Sequence, residues 1–270
     1  MSTPAPQRSL KQAVVTALIL LVLIAACAIG GRPWFFGLVI AVVLMAAFEL
    51  LDALVQTGRR PSIPLGLAAT LGILVAAYEE KFAYIGIILA VATYAAMICA
   101  LRPKRGVTAG SDAAWTIFGL TWIGGGGAGA VSILVMDGGL ALLVASVLIV
   151  ACDDIGAYFA GTNFGRHKMA PSVSPAKSWE GFAGGIGTAL VAGLAAATIL
   201  DEMTVATGLA IGLMAGLLAP VGDLVESLVK REIGIKDSGR LLPGHGGMLD
   251  RLDAIIFCCP AISLYLHFVA

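Results

Sequence analysis

Charge is what this sequence has least of. Asp, Glu, Lys and Arg make up 13% of its 270 residues, while 59% are hydrophobic; an ordinary soluble domain carries about 25% charged residues and roughly 45–50% apolar ones. That deficit excludes a soluble fold, which could not bury so much apolar surface. Net charge is also missing, since 17 basic residues balance 17 acidic ones, and with it any global attraction to nucleic acid. Cysteine is sparse. Cys27, Cys99, Cys152, Cys258 and Cys259 mostly lie in apolar stretches, with no CxxC or metal-ligand spacing. They read as small lipid-buried hydrophobes, which rules out a zinc site and a disulfide framework. No short-period repeat, long linker or low-complexity tract divides the chain, so 1–270 reads as one membrane domain.

What is present is a succession of long apolar segments. A membrane-spanning helix needs about 20 predominantly apolar residues. Nine segments qualify or nearly do: 13–30, 35–56, 63–78, 82–101, 114–136, 139–161, 182–200, 203–224 and 252–269. The expectation is an all-α, polytopic membrane protein with about nine transmembrane helices. The first segment exceeds the apolar core of a secretory signal, about 7–15 residues, and is expected to be an uncleaved span. The run Gly124 to Gly127 would either kink a helix or, the favoured reading, let helices approach closely. Lys and Arg test the count independently. With a cytoplasmic N-terminus, fifteen fall on cytoplasmic segments and only Arg32 and Lys81 on the other side, the bias expected when basic loops stay inside. The C-terminus is then on the opposite side. Residues 1–136 would form N-terminal helices for scaffold and lipid access, and 137–270 would carry an active site facing the cytoplasm of the inner (plasma) membrane.

The chemistry-bearing residues concentrate late in the chain. Glu49 and Asp52, one turn apart on the second segment, read as an interfacial acidic pair or as the wall of a polar cavity. Asp153 and Asp154 interrupt an apolar run and are costly there unless they face protein, water or a cation. The stretch from Gly161 to Gly181 is rich in Gly, Ser and basic residues, and Lys177-Ser178-Trp179-Glu180 opens a helix. Backbone N–H groups, hydroxyls and cations are what a polyphosphate needs, and a helix N-terminus adds a favourable field. Asp223, Glu226, Ser227 and Lys230 make a polar stripe on a continuing helix. Asp250 and Asp253 share a face one turn apart. Asp223, Asp250 and Asp253 could converge at one membrane–water boundary, where a divalent ion would relieve their repulsion; hard oxygen ligands suit Mg²⁺. The bland alternative is a salt-bridged interfacial cluster. His245 is either a hydrogen-bonded loop residue or a phosphate contact.

Ser227-Leu-Val-Lys230-Arg231, four residues, Lys236-Asp237-Ser238-Gly239, then Pro243-Gly-His245-Gly246-Gly247, Met-Leu, Asp250-Arg251-Leu-Asp253 closely resembles the signature of phosphatidate cytidylyltransferases, the CDP-diacylglycerol synthases. The likeness extends to Asp154-Ile-Gly-Ala-Tyr158 and to Ser174-Pro175 through Gly181, and covers roughly 150–255. Ala176 departs from it, standing where a basic residue is expected. The resemblance implies transfer of a cytidylyl group from CTP to phosphatidate at the bilayer surface, giving CDP-diacylglycerol and pyrophosphate. It implies Mg²⁺ and possible use of a second, monovalent cation, and a homodimer. Asp223, Asp250, Asp253 and Lys230 would be catalytic, the three aspartates as metal ligands. Substrate contacts would come from Asp154, Lys177, Ser178, Trp179, Glu180, Ser227, Arg231, Lys236, Asp237, Ser238, His245, Gly246, Gly247 and Arg251. An ether-lipid cytidylyltransferase or a polyprenol kinase is the nearest alternative, and a secondary transporter a more distant one.

Overall fold

A computed structural model of the chain describes residues 10–101, 109–235, 238–239 and 246–269. Ten helices carry the fold: α1 (Leu10–Ile29), α2 (Arg32–Gln56), α3 (Ile63–Tyr78), α4 (Phe82–Ala100), α5 (Ala109–Gly119), α6 (Gly125–Val135), α7 (Gly139–Phe164), α8 (Trp179–Ile199), α9 (Val205–Ile233) and α10 (Leu249–Phe268). Each expected apolar segment falls on helix. Among the described residues, six helical rods are long and apolar enough to cross a membrane: α2, α4, the joined α5–α6 rod, α7, α8 and α9. The departure from an all-helical reading is a small antiparallel hairpin, β1 (Lys168–Ala170) with β2 (Ser174–Ser178). It joins α7 to α8.

The glycine run does not break its helix. Residues Leu120–Gly124 form one π-helical turn and α6 continues from it. The following glycines are spacers. A Cβ on Gly129 would meet Pro260 N at 2.6 Å and Cys259 C at 2.8 Å, and a Cβ on Gly127 would meet Leu74 and Val43 at 2.9 Å. The backbones of α6 and α10 therefore touch directly, the usual means of helix association where lipid removes the hydrophobic incentive.

The same device sets the tilt of α8. In its first half α8 lies on α7, with Gly185 against Asp153 and Gly156 against Thr188, whose hydroxyl donates to the Cys152 carbonyl at 3.0 Å. In its second half it lies on α9, where Gly193 and Gly208 face each other's backbone and Gly212 meets Ala189. Moving from one neighbour to the other, α8 leaves an apolar groove of about 910 Å³ beside α7, lined by residues such as Ala141, Ala145, Leu148 and Ala196.

Contacts fix which ends lie together. At one end, Arg32 donates to the Val135 carbonyl at 2.8 Å and lies over the Tyr78 ring, joining the start of α2 to the ends of α3 and α6. At the other end, buried Asp112 accepts from Arg60 N at 2.9 Å, Thr116 accepts from Ser62 N at 3.0 Å, and Arg59 lies over Trp115 and 3.9 Å from Glu232. The end of α2, the starts of α3 and α5 and the end of α9 thus share the second end. The chemistry gathers there.

Candidate active site

The end of α7, the hairpin, the start of α8, the last turns of α9 and the first turn of α10 enclose a cavity of about 720 Å³. Its walls carry Asp153, Asp154, Asp223, Glu226, Asp250 and Asp253 against Lys168, Lys177 and Lys230. Among the described lining residues, carboxylates outnumber ammonium groups two to one. An excess of this kind out of bulk water needs further positive charge.

α9 runs on to Ile233, about two and a half turns past the expected boundary at 224, and ends on left-handed Gly234 with Lys230 and Arg231 in its last turn. Those cations suit the negative end of the helix. The extension keeps Asp223, Glu226 and Lys230 on one helical stripe. Lys230 Nζ bridges Glu226 Oε2 at 2.8 Å and Asp250 Oδ1 at 3.0 Å. Asp250 is held further by Gly247 N–H, which donates to Oδ2 at 2.9 Å. Ser238 Oγ lies 2.6 Å from Asp250 Oδ1 and 2.9 Å from Glu226 Oε1, and its single proton serves one of them at a time.

Across the cavity β2 delivers Lys177, whose Nζ meets Asp223 Oδ2 at 2.6 Å and donates to the Pro220 carbonyl at 3.0 Å. The strand ends at Ser178, which caps α8 by accepting Gly181 N–H at 3.1 Å, a role that serine fills well. A Cβ on Gly165 would meet the Ser178 hydroxyl at 2.7 Å and one on Gly181 at 3.2 Å, so side chains there would press on it. Glu180 accepts from Arg166 N at 3.1 Å, His167 N at 3.2 Å and His167 Nδ1 at 2.6 Å. It holds the hairpin from outside the cavity. Trp179 is exposed and meets Phe182 edge to face.

Of the residues singled out from sequence, Asp154, Lys177, Ser178, Asp223, Lys230, Asp250 and Asp253 line the cavity, and Ser238 and Gly247 hold Asp250. Trp179, Glu180, Ser227, Arg231, Gly246 and Arg251 are not in the cavity lining. Lys236, Asp237 and His245 lie outside the described residues. Among the described residues, three acidic side chains have oxygens that all lie within 4.8 Å of one another: Asp223, Glu226 and Asp253. The expected trio had Asp250 in place of Glu226. Asp250 is tied to Lys230, Ser238 and Gly247 N–H; Glu226 shares Lys230 and Ser238 with it and, one turn beyond Asp223 on α9, also approaches Asp253.

This all-oxygen set fits a hard divalent cation. Another carboxylate of the cavity wall stands apart from this trio. Asp153 is fully buried, and among the described residues neither of its oxygens has a hydrogen-bond partner. Sequence reading left Glu49 between an interfacial acidic pair and the wall of a polar cavity, and did not count it among the site residues. It is buried on α2, and its Oε2 accepts Leu249 N–H at 2.9 Å, 200 positions away. Only its cost inside an apolar helix pointed to it. Asp52, its neighbour, accepts from Gln56 Nε2 at 2.6 Å.

Comparison with known proteins gives the same direction. The profile of the cytidylyltransferase family matches residues 11–269. The phosphatidate cytidylyltransferase of Mycobacterium bovis is 34% identical over 268 residues, covering 92% of this chain and 85% of its own length. That of Mycobacterium tuberculosis is 34% identical over 268 residues, covering 92% of this chain and 80% of its own. The phosphatidate cytidylyltransferase of Haemophilus influenzae is 42% identical over 136 residues, 48% of this chain and 47% of that protein.

Proposed function

The chain belongs to the cytidylyltransferase family, and from that membership we propose that it is a phosphatidate cytidylyltransferase, joining CTP and phosphatidate into CDP-diacylglycerol with release of pyrophosphate. The observation that carries the reading is the cavity at one end of the helical bundle. It combines three mutually close acidic side chains from α9 and α10 with Lys177 and Lys230. Two anionic substrates meet there, so charge neutralisation and alignment supply most of the rate.

Asp223, Glu226 and Asp253 would hold Mg²⁺, which when bound neutralises phosphate charge and activates the phosphorus under attack. The protein's own groups do the rest. Lys177, anchored on Asp223 and the Pro220 carbonyl, stands at the cavity wall opposite Lys230. Each ammonium stands where it can donate to a phosphate oxygen of a bound substrate. Asp250, tied by Lys230, Ser238 and Gly247, orients Lys230. Asp154 adds to the acidic wall facing Asp223. A phosphatidate oxygen displaces pyrophosphate from the α-phosphorus of CTP, and no covalent enzyme intermediate is needed.

The proposed setting is a bacterial cytoplasmic membrane crossed nine times, with the N-terminus and the cavity on the cytoplasmic side and the C-terminus opposite. Helices within 137–270 carry the site and those within 1–136 act mainly as scaffold. Acyl chains remain in the bilayer while the head group reaches the cavity, and two copies form a homodimer. The clustering of Arg59, Arg60, Lys177 and Lys230 at the cavity end of the bundle, with Arg32 at the other, supports this orientation.

The test uses purified protein in detergent with labelled CTP, phosphatidate and Mg²⁺. CDP-diacylglycerol and pyrophosphate should appear in equal amounts, and release of CDP instead would make the enzyme a lipid kinase. Asp223→Asn and Asp253→Asn should each lower kcat by about 10²–10³, the usual cost of one lost transition-state charge contact. Near-normal turnover in both at saturating Mg²⁺ would sink the metal assignment.

A further inference from the structure

α10 starts without a cap of its own. Met248 stands at its N-cap and offers no side-chain acceptor, although the first N–H groups of any helix lack intrahelical partners. The acceptor comes from α2. Glu49 is 3% exposed, and its carboxylate takes Leu249 N–H at 2.9 Å. A negative group at this position also suits the helix field. The same carboxylate is the floor under two glycines of the signature loop. A Cβ on Gly247 would meet Glu49 Oε2 at 2.8 Å, and a Cβ on Gly239 would run into Glu49 Oε1. Ser238, beside Gly239, contacts Glu226 and Asp250, and Gly247 N–H holds Asp250. One turn into α10 comes Asp253 of the acidic trio. One buried side chain from the first half of the chain therefore touches both the loop and the helix start that present the acidic groups.

We propose that Glu49 is a positioning residue for the acidic centre: it sets the start of α10 and the seat of Gly239 and Gly247, so that Asp250 and Asp253 reach working geometry. The proposal rests on the metal-dependent reading of the cavity. Its rival is a buried carboxylate that only stabilises the fold.

Cation binding separates the two without relying on turnover. Wild type, Glu49→Ala, Glu49→Gln, Gly239→Ala and Asp52→Asn are purified in detergent and titrated with Mn²⁺ by electron paramagnetic resonance. The transferase kcat and KM are then measured on the same samples. Groups that orient metal ligands are worth about 10–100-fold in affinity or activity. Glu49→Ala should weaken Mn²⁺ binding and lower kcat within that range, with KM for phosphatidate moving less than about threefold. Glu49→Gln, whose amide oxygen still accepts Leu249 N–H, should recover most of both. Gly239→Ala displaces the carboxylate from the other side. It should reproduce Glu49→Ala and add little when combined with it, because the two changes break one contact. Asp52→Asn should match wild type. If Glu49→Ala does not fold, Glu49→Gln and Gly239→Ala carry the test. Unchanged Mn²⁺ affinity in the folded variants, with only a lower unfolding temperature, overturns the proposal. If wild type makes no CDP-diacylglycerol while Mn²⁺ affinity still follows this order, the reaction is wrong and the positioning role stands.

Discussion

α4 and α9 are almost equally apolar, with mean hydropathies of 2.1 and 1.8 over their most apolar stretches, yet 11% of the first stretch is buried and 44% of the second. In water such a pair could not coexist, because the apolar face of an exposed helix would be driven inward. In a bilayer the lipid is as apolar as the core, so hydropathy does not sort inside from outside. Small residues do. α9 presents Gly208, Gly212, Gly216 and Gly222 to neighbouring backbones, whereas the one glycine of α4, Gly86, has nothing within 4 Å of where its Cβ would be. Polar residues sort the same way. α4 has no Asp, Glu, Lys or Arg between Phe82 and Ala100, and α9 carries Asp223, Glu226 and Lys230 of the cavity.

The sharpest way to press this contrast is to remove the cation on which the α9 stripe depends. Lys230, with its side chain 17% exposed, is shared by Glu226 and Asp250. Lys230→Met leaves both carboxylates buried without their partner, and breaking a buried pair in this way costs about 3–5 kcal/mol. Transferase turnover should fall by at least about 10²-fold, as for loss of one electrostatic contact in an active site, with residual activity that higher Mg²⁺ does not restore. Turnover within tenfold of wild type would mean that Lys230 is a surface ion-pair residue.

How much of this was legible beforehand follows from the same physics. Helix positions were readable, because spanning segments must be long and apolar. That Asp223, Glu226 and Lys230 share one stripe, and Asp250 and Asp253 one face, was readable from helical spacing. Helix ends were less so. α9 continues past 224 because Lys230 and Arg231 complement its C-terminal field and Gly234 closes it, signals that hydropathy ignores. The β1–β2 hairpin left no alternating pattern in a stretch of Gly, Ser, Pro and basic residues. The place of Glu226 beside Asp253, and of Glu49 beneath α10, depends on contacts across 27 and 200 positions, which no local spacing encodes.

A smaller effect is expected where α8 changes neighbours. A Cβ on Gly193 would collide with the Gly208 carbonyl, and the reverse holds for Gly208. Overpacking of this kind costs about 1–3 kcal/mol. Gly193→Ala should lower the unfolding midpoint in detergent, and Gly193→Ala with Gly208→Ala should cost less than the sum, since both strain one contact. The contact lies at the opposite half of α8 from Ser178, so KM for CTP should stay within about twofold, a change of less than half a kcal/mol.

Gly86→Ala gives the smallest effect and the opposite sign. The site lies inside α4, in open space on a helix that buries only Ala92 and Ala96. A helix-interior glycine costs roughly 0.5–1 kcal/mol relative to alanine because its backbone loses more freedom. With no atom in the way, Gly86→Ala should raise the unfolding free energy by that amount, seen as a higher unfolding midpoint, and leave kcat and KM unchanged. The measurement also bears on what covers α4. Tyr84, Ile87, Val91 and Tyr94 are exposed on this helix, as they would be against lipid. If Gly86→Ala instead destabilised the protein and shifted it from dimer to monomer in analytical ultracentrifugation, the face would be packed on a second copy. Lipid accommodates one more methyl group, whereas a helix seated against glycine does not, so the sign of one substitution separates a lipid-facing helix from a protein-facing one.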